Sequence, residues 1–237
     1  MTKAKGNMYE FLSHTWNPVK GKCSHNCSYC YMKDIRERFS QTEREPYISD
    51  YEMKSNLGKG NKIFIGSSCD LFAENIPDEW ILRILFAIER YPENTYLFQT
   101  KNPQRYLNYF HAIIGGKVET EFPKKCILGT TIETNRIYPC MGNTPSPNGR
   151  AKAIELITSQ FNDCFITIEP ILDFDFELFV PMLKDAMPKY INVGADSGNN
   201  HLPEPEPEKI RELIKELEKF TEVRLKKNLK RLLPEIN

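Results

Sequence analysis

The sequence predicts an α/β protein in which parallel strands are covered by outer helices. Two observations carry that expectation. From residue 61 onward short apolar runs alternate with amphipathic ones, and the strand runs are too uniformly apolar to keep one face in water, as a buried parallel sheet requires. A third observation concerns size. The chain has 237 residues, 40% hydrophobic and 27% charged, enough to bury a core without covalent staples, so one domain over residues 1–237 is expected.

The elements follow in order. Residues 12–19 form a strand ahead of a cysteine-rich loop, and residues 32–39 a helix after it. Residues 62–66 read as a buried strand, and residues 80–88 as a largely buried helix opened by Pro77 and Asp78. Residues 95–100 form the next strand. Pro103 then opens a helix whose Tyr106, Leu107, Phe110, Ile113 and Ile114 recur at helical spacing. Strands are expected at 126–131, 164–168 and 190–194, with helices at 151–160 and 176–187 between them. Residues 136–150, rich in Pro, Asn and Gly, read as a long loop. The Pro-Glu alternation of residues 203–207 is a stiff connector to a last helix over about 208–233, broken near Thr221. Residues 203–237 are thus expected to be a helical, basic extension of the same domain. Six strands in this order suit an open doubly wound sheet or a barrel-like one, and both place function at the carboxyl ends of the strands. No glycine-rich phosphate loop follows any strand, which disfavours the nucleotide-binding open sheets.

Charge and cysteine usage narrow the setting. Thirty-two basic and 32 acidic residues cancel, so no global field names a polyanionic partner. Seven cysteines, an odd number, in a chain that needs no disulfides argue for reduced thiols. No apolar run approaches a membrane span and no apolar segment follows the charged start. A cytoplasmic protein with no membrane partner is expected.

Three of the thiols, Cys23, Cys27 and Cys30, lie within eight residues in the run CSHNCSYC. A structural zinc site needs four closed ligands, and His25 or His14 is available to complete a three-cysteine set. An iron–sulfur cluster with four irons takes one thiolate per iron. Three thiolates then leave one iron open to another ligand.

The spacing Cys-x-x-x-Cys-x-x-Cys with an aromatic residue before the last cysteine, here Cys23, Cys27, Tyr29 and Cys30, resembles the radical S-adenosylmethionine (SAM) superfamily. The resemblance implies a partial (β/α)6 barrel and a [4Fe-4S] cluster whose open iron chelates SAM, which one electron splits to a 5′-deoxyadenosyl radical. It also implies an electron donor such as a flavodoxin or ferredoxin. Over most of the chain the sequence is similar to the phage-associated three-Cys-motif family of unassigned function. That likeness rests on Thr15 to Pro18, Asp70 to Phe72, Ile168 to Pro170 and Val193 to Gly198. Spore photoproduct lyases, which repair DNA, are a more distant likeness through Tyr29-Cys30-Tyr31 and Thr100-Lys101. Their hydrogen-donating cysteine has no counterpart, because Ser67 stands at its place and Cys69 two positions later.

The resemblance also implies roles for the polar residues at the strand ends. Gly66, Ser67 and Ser68 stand where the superfamily holds the methionyl amino group, Lys101 where a cation meets the SAM carboxylate, and Thr131, Glu133 and Asn135 where the ribose is held. With Tyr29 and Tyr31 these are the expected cofactor-binding residues. Glu169 and Asp196 are expected on the substrate side, and Cys69, ahead of Cys140, as hydrogen-atom donor. Cys126 and Cys164 read as small buried apolar residues. Residues 222–231 hold five basic residues and one acidic one, a stripe suited to a phosphate backbone, with Trp16, Tyr29 and Tyr31 as stacking partners for a base. The stripe reads either as a solvated helix face or as a contact for single-stranded nucleic acid, and the substrate itself is not encoded in the sequence motifs. The alternative is a non-catalytic iron–sulfur or zinc protein that acts as a sensor or with a companion protein.

Overall fold

In the computed structural model, residues 1–4, 9–40, 42–110, 112–114, 117–120, 122–161, 163–198 and 200–236 are described. The chain begins with β1 (Thr2–Lys3), β2 (His14–Trp16), β3 (Val19–Lys20), α1 (Tyr31–Arg38), β4 (Tyr47–Ile48) and α2 (Asp50–Met53). It continues through β5 (Lys62–Ile65), α3 (Asp78–Glu89), β6 (Thr95–Thr100), β7 (Ala112–Ile114), β8 (Lys117–Thr120) and β9 (Cys126–Thr131). The last part holds α4 (Pro147–Thr158), β10 (Cys164–Ile168), α5 (Phe176–Asp185), β11 (Tyr190–Val193), α6 (Pro207–Leu217) and β12 (Glu222–Leu225). Two compact units result. The first is Met1–Ser24 with Thr42–Leu128, and the second is His25–Gln41 with Gly129–Asn237.

In the first unit the strand order is β1-β2-β5-β6. Strands β2, β5 and β6 run parallel, with Ile63 opposite His14 and Tyr96, and Ile65 opposite Trp16 and Phe98. The short β1 pairs antiparallel on the edge. Helix α3 buries Ile81, Ile84, Leu85 and Ile88, the i, i+3, i+4, i+7 stripe of a helix packed on a sheet. Phe72 meets Tyr106 edge-on with centroids 4.6 Å apart, and Phe98 and Phe122 complete an aromatic cluster. Edge-to-face packing of this kind is favourable beyond the area it buries. The helix expected from Pro103 is shorter and tighter than its spacing predicts. Pro103–Tyr109 is a 3₁₀ helix, and β7 pairs antiparallel with β8 where Ile113 and Ile114 were expected to continue a helix. Consecutive β-branched residues favour a strand once a partner is near.

In the second unit β10, β11 and β12 run parallel, with Ile166 opposite Ile191 and Ile191 opposite Val223. Helices α4, α5 and α6 follow β9, β10 and β11 in the chain. The Phe165 ring stacks on Tyr190 at 5.1 Å, and the Arg224 guanidinium lies 3.6 Å over the Tyr190 ring. Gly129 admits the Phe165 ring, since a Cβ there would lie 2.2 Å from it. The expected helical C-terminal extension is corrected here. Helix α6 ends at Leu217, and β12 adds a parallel strand to β11. Val223 and Leu225 alternate with Glu222 and Arg224 at the period of a strand, which the basic composition of the segment masked.

The expected class therefore holds: α/β, with parallel strands and flanking helices, and in neither unit do the strands close on themselves. Among the described residues no helix is long and apolar enough to cross a membrane.

Candidate functional site

Function was expected at the carboxyl ends of the parallel strands, and each unit gathers polar groups there. In the first unit, Asn17 follows β2. Its Oδ1 accepts from the Ser67 hydroxyl at 3.1 Å and the Ser68 N–H at 3.0 Å, beyond β5. Gly66 turns the chain at φ +79°, where an added Cβ would lie 3.0 Å from the Cys69 carbonyl oxygen. Asp70 then reaches the end of β6, accepting from the Thr100 hydroxyl at 3.0 Å and the Lys101 N–H at 2.9 Å. Its other oxygen accepts from the Phe72 N–H at 2.9 Å. Asn17 thus holds Ser67 and Ser68, and Asp70 holds the Lys101 backbone. Cys69, expected to donate a hydrogen atom, is 2% exposed.

Cys23 belongs to this unit. Asn75 brackets it, because its amide accepts from the Ser24 N–H at 3.2 Å and donates to the Lys22 carbonyl at 3.1 Å. Asn17 and Asn75 are functional candidates that reasoning from the sequence passed over as site residues. The signal for Asn17 was its place in the Thr-Trp-Asn-Pro run; Asn75 carried none, because its target is a backbone distant in sequence.

Cys27 and Cys30 open the second unit. The Cys30 N–H donates to the Cys27 carbonyl at 3.3 Å, and Cys30 is the N-cap of α1, whose first residue is the 45%-exposed Tyr31. Residues 138–143 form a strap against this turn. The Ser28 N–H donates to the Cys140 carbonyl at 2.9 Å, the Asn143 N–H to the His25 carbonyl at 2.7 Å, and the Cys27 thiol to the Met141 carbonyl at 3.4 Å. The three thiols are the soft donor set that suits iron–sulfur clusters or zinc and not magnesium or calcium. Among the described residues no three His, Cys, Asp or Glu side chains are grouped as metal ligands.

Glu133, just beyond β9, is fully buried with Arg150 of α4. The Tyr29 hydroxyl donates to Glu133 Oε1 at 2.6 Å, and Arg150 Nη1 donates to Glu133 Oε2 at 2.7 Å and to the Thr131 carbonyl at 2.5 Å. Burial, then the adjacent carboxylate, holds the Tyr29 phenol well above its ordinary pKa. Three expected cofactor-binding residues, Tyr29, Thr131 and Glu133, therefore meet around an arginine that the sequence reading did not single out. Asn135 is placed otherwise: its side chain accepts from the Asp175 N–H at 2.9 Å and donates to the Asp175 carboxylate at 3.2 Å, clamping the start of α5.

The ends of β10, β11 and β12 form a third cluster. Lys226 Nζ donates to Glu169 Oε2 at 2.6 Å, and the Asn228 amide nitrogen, with two hydrogens to give, lies 2.7 Å from Glu169 Oε1, 2.6 Å from the Ala195 carbonyl oxygen and 2.8 Å from the Ser197 hydroxyl oxygen. Asp196 accepts from the Gly198 N–H at 3.1 Å and the Asn200 amide at 2.6 Å. Arg231 donates to both oxygens of Glu204, at 2.5 and 2.7 Å. Three cations of the basic stripe, Arg224 with Glu222, Lys226 with Glu169 and Arg231 with Glu204, thus have carboxylate partners.

The family model described as "Protein of unknown function (DUF5131)" matches residues 7–220. The chain belongs to that family. No curated protein matches it. Among solved structures this DUF5131 member is similar to a spore photoproduct lyase double mutant with bound AdoMet and dinucleoside spore photoproduct, with a TM-score of 0.58 and 11% identity, over 97% of this chain and 76% of the other. The same lyase complexed with dinucleoside spore photoproduct gives a TM-score of 0.53 and 12% identity, over 91% of this chain and 73% of that one. At such identities the likeness is one of fold.

Proposed function

We propose that the protein is a radical SAM enzyme in which Cys23, Cys27 and Cys30 hold a [4Fe-4S] cluster. The observation that carries this reading is the cysteine loop itself, three thiols with Tyr29 before the last, in a chain whose fold is similar to an AdoMet-bound lyase. When bound, the cluster supplies the electron that splits SAM into methionine and a 5′-deoxyadenosyl radical. The chain's own residues do the positioning. Asn75 and the strap at 138–143 fix the backbone beside the cysteines, and the Asn17 and Asp70 networks fix the turns at Gly66–Ser68 and Lys101 where SAM is to be held. Glu169 and Asp196 stand on the substrate side. A flavodoxin or ferredoxin supplies the electron. A single-stranded nucleic acid is the substrate class favoured by the dinucleoside bound to the similar lyase. In this reading the salt-dependent contact comes from the basic stripe over residues 222–231.

Anaerobic reconstitution with iron and sulfide tests the proposal. The expected result is a four-iron cluster that, once reduced, converts SAM to 5′-deoxyadenosine and methionine, and that is abolished by Cys23→Ala, Cys27→Ala or Cys30→Ala. Stoichiometric zinc without iron, or a reduced cluster that neither binds nor cleaves SAM, would replace the enzyme with a metal-bearing sensor or companion protein.

A further inference from the structure

The Glu133–Arg150 pair is an expensive arrangement. Both side chains are fully buried, and Arg150 Nε and Nη2 are buried with no hydrogen-bond partner. Buried ion pairs add little net stability even when complete, and unsatisfied buried donors subtract from it. What the pair does achieve is geometric. Arg150 Nη1 is tied to the Thr131 carbonyl at the end of β9, so the carboxylate it holds is fixed relative to that strand. The other carboxylate oxygen receives the Tyr29 hydroxyl at 2.6 Å, the short distance of a charge-assisted bond. Tyr29 sits inside the turn closed by the Cys30 N–H and the Cys27 carbonyl. The strap at 138–143 holds the other side of that turn through backbone groups.

We infer that Tyr29, Glu133 and Arg150 form a positioning relay that fixes the Cys27–Cys30 turn, with Glu133 acting through Tyr29 and not on a cofactor. Full burial of Glu133 and Arg150 keeps both from direct contact with a bound molecule. The relay's service to a cluster rests on the radical SAM reading; its hold on the turn does not. Tyr29→Phe removes only the donated hydroxyl. Glu133→Gln keeps a hydrogen bond to each partner, the amide oxygen accepting from Arg150 and the amide nitrogen donating to the phenol oxygen, but removes the charge from the Tyr29 bond and leaves the Arg150 guanidinium without its counter-charge.

The test has two readouts on the full-length chain. In metal-free protein, the rate at which iodoacetamide alkylates Cys30 is expected to rise about tenfold in Tyr29→Phe, the loss of one charge-assisted bond, to rise also in Glu133→Gln, and to rise no more than about twofold further when Glu133→Gln is added to Tyr29→Phe. In reconstituted protein, the electron paramagnetic resonance signal of the reduced cluster is expected to broaden alike in Tyr29→Phe, in Glu133→Gln and in the double variant. Wild-type alkylation in Tyr29→Phe, or losses that add in the double variant, overturns the relay. If wild-type protein takes up no iron, the cluster reading falls, and the alkylation series alone decides the relay.

Discussion

At the residue scale Gly142 shows how closely the strap and the cysteine loop are fitted. It adopts φ +65°, and an ideal Cβ would lie 2.1 Å from the His25 carbonyl oxygen and 2.8 Å from Asn26 backbone atoms. Neither the conformation nor the backbone it meets can give way cheaply. Gly142→Ala is expected to cost more than about 2 kcal/mol in urea unfolding and to raise the reactivity of Cys27. Other cysteines bear out their reading from sequence. Cys126 and Cys164 are 1% and 0% exposed, and burial pushes the Cys164 thiol up to about 12. The cysteine motif was legible because its spacing is local. Arg150 was not, because nothing in Gly149-Arg150-Ala151 distinguishes a buried guanidinium from a solvated one.

At the scale of elements, β12 is the part the sequence concealed. Its cations suggested a solvated helix, yet the strand places Lys226 beside Glu169 with both largely buried, at 12% and 18% side-chain exposure. Gly194 makes room for the arrangement, since a Cβ there would lie 2.9 Å from Glu169 Oε1 and from Asn228 Oδ1. Lys226→Met removes one partner and leaves a carboxylate in a confined site. It is expected to destabilise the protein by about 1–3 kcal/mol, and Glu169→Gln added to it is expected to recover much of that loss. A double-mutant cycle by urea unfolding measures the coupling, and additive losses would show that the pair is not coupled.

At the scale of the whole molecule, acid sensitivity follows from charges that folding brings together. Asp173 resists burial, yet hydrogen bonds from Lys209 and Arg136 override it and hold its carboxyl below the ordinary range. A depressed folded-state pKa contributes stability that is complete above the unfolded value and is lost as pH falls through the folded one. Asp173→Asn is therefore expected to lower Tm at pH 7, and the gap from wild type is expected to close below about pH 4. Melting curves across that range check it. The class of the protein, its strand and helix alternation and its cysteine loop were determined by the sequence alone, because apolar periodicity and cysteine spacing are properties of neighbouring residues. The tertiary structure decided that residues 222–225 are a strand and that residues 112–114 pair antiparallel with residues 117–120. It also decided that Arg150 and Lys226 serve carboxylates 17 and 57 positions away. Those outcomes depend on which chemical groups folding makes adjacent, and a buried charge takes its meaning from the partner it meets there.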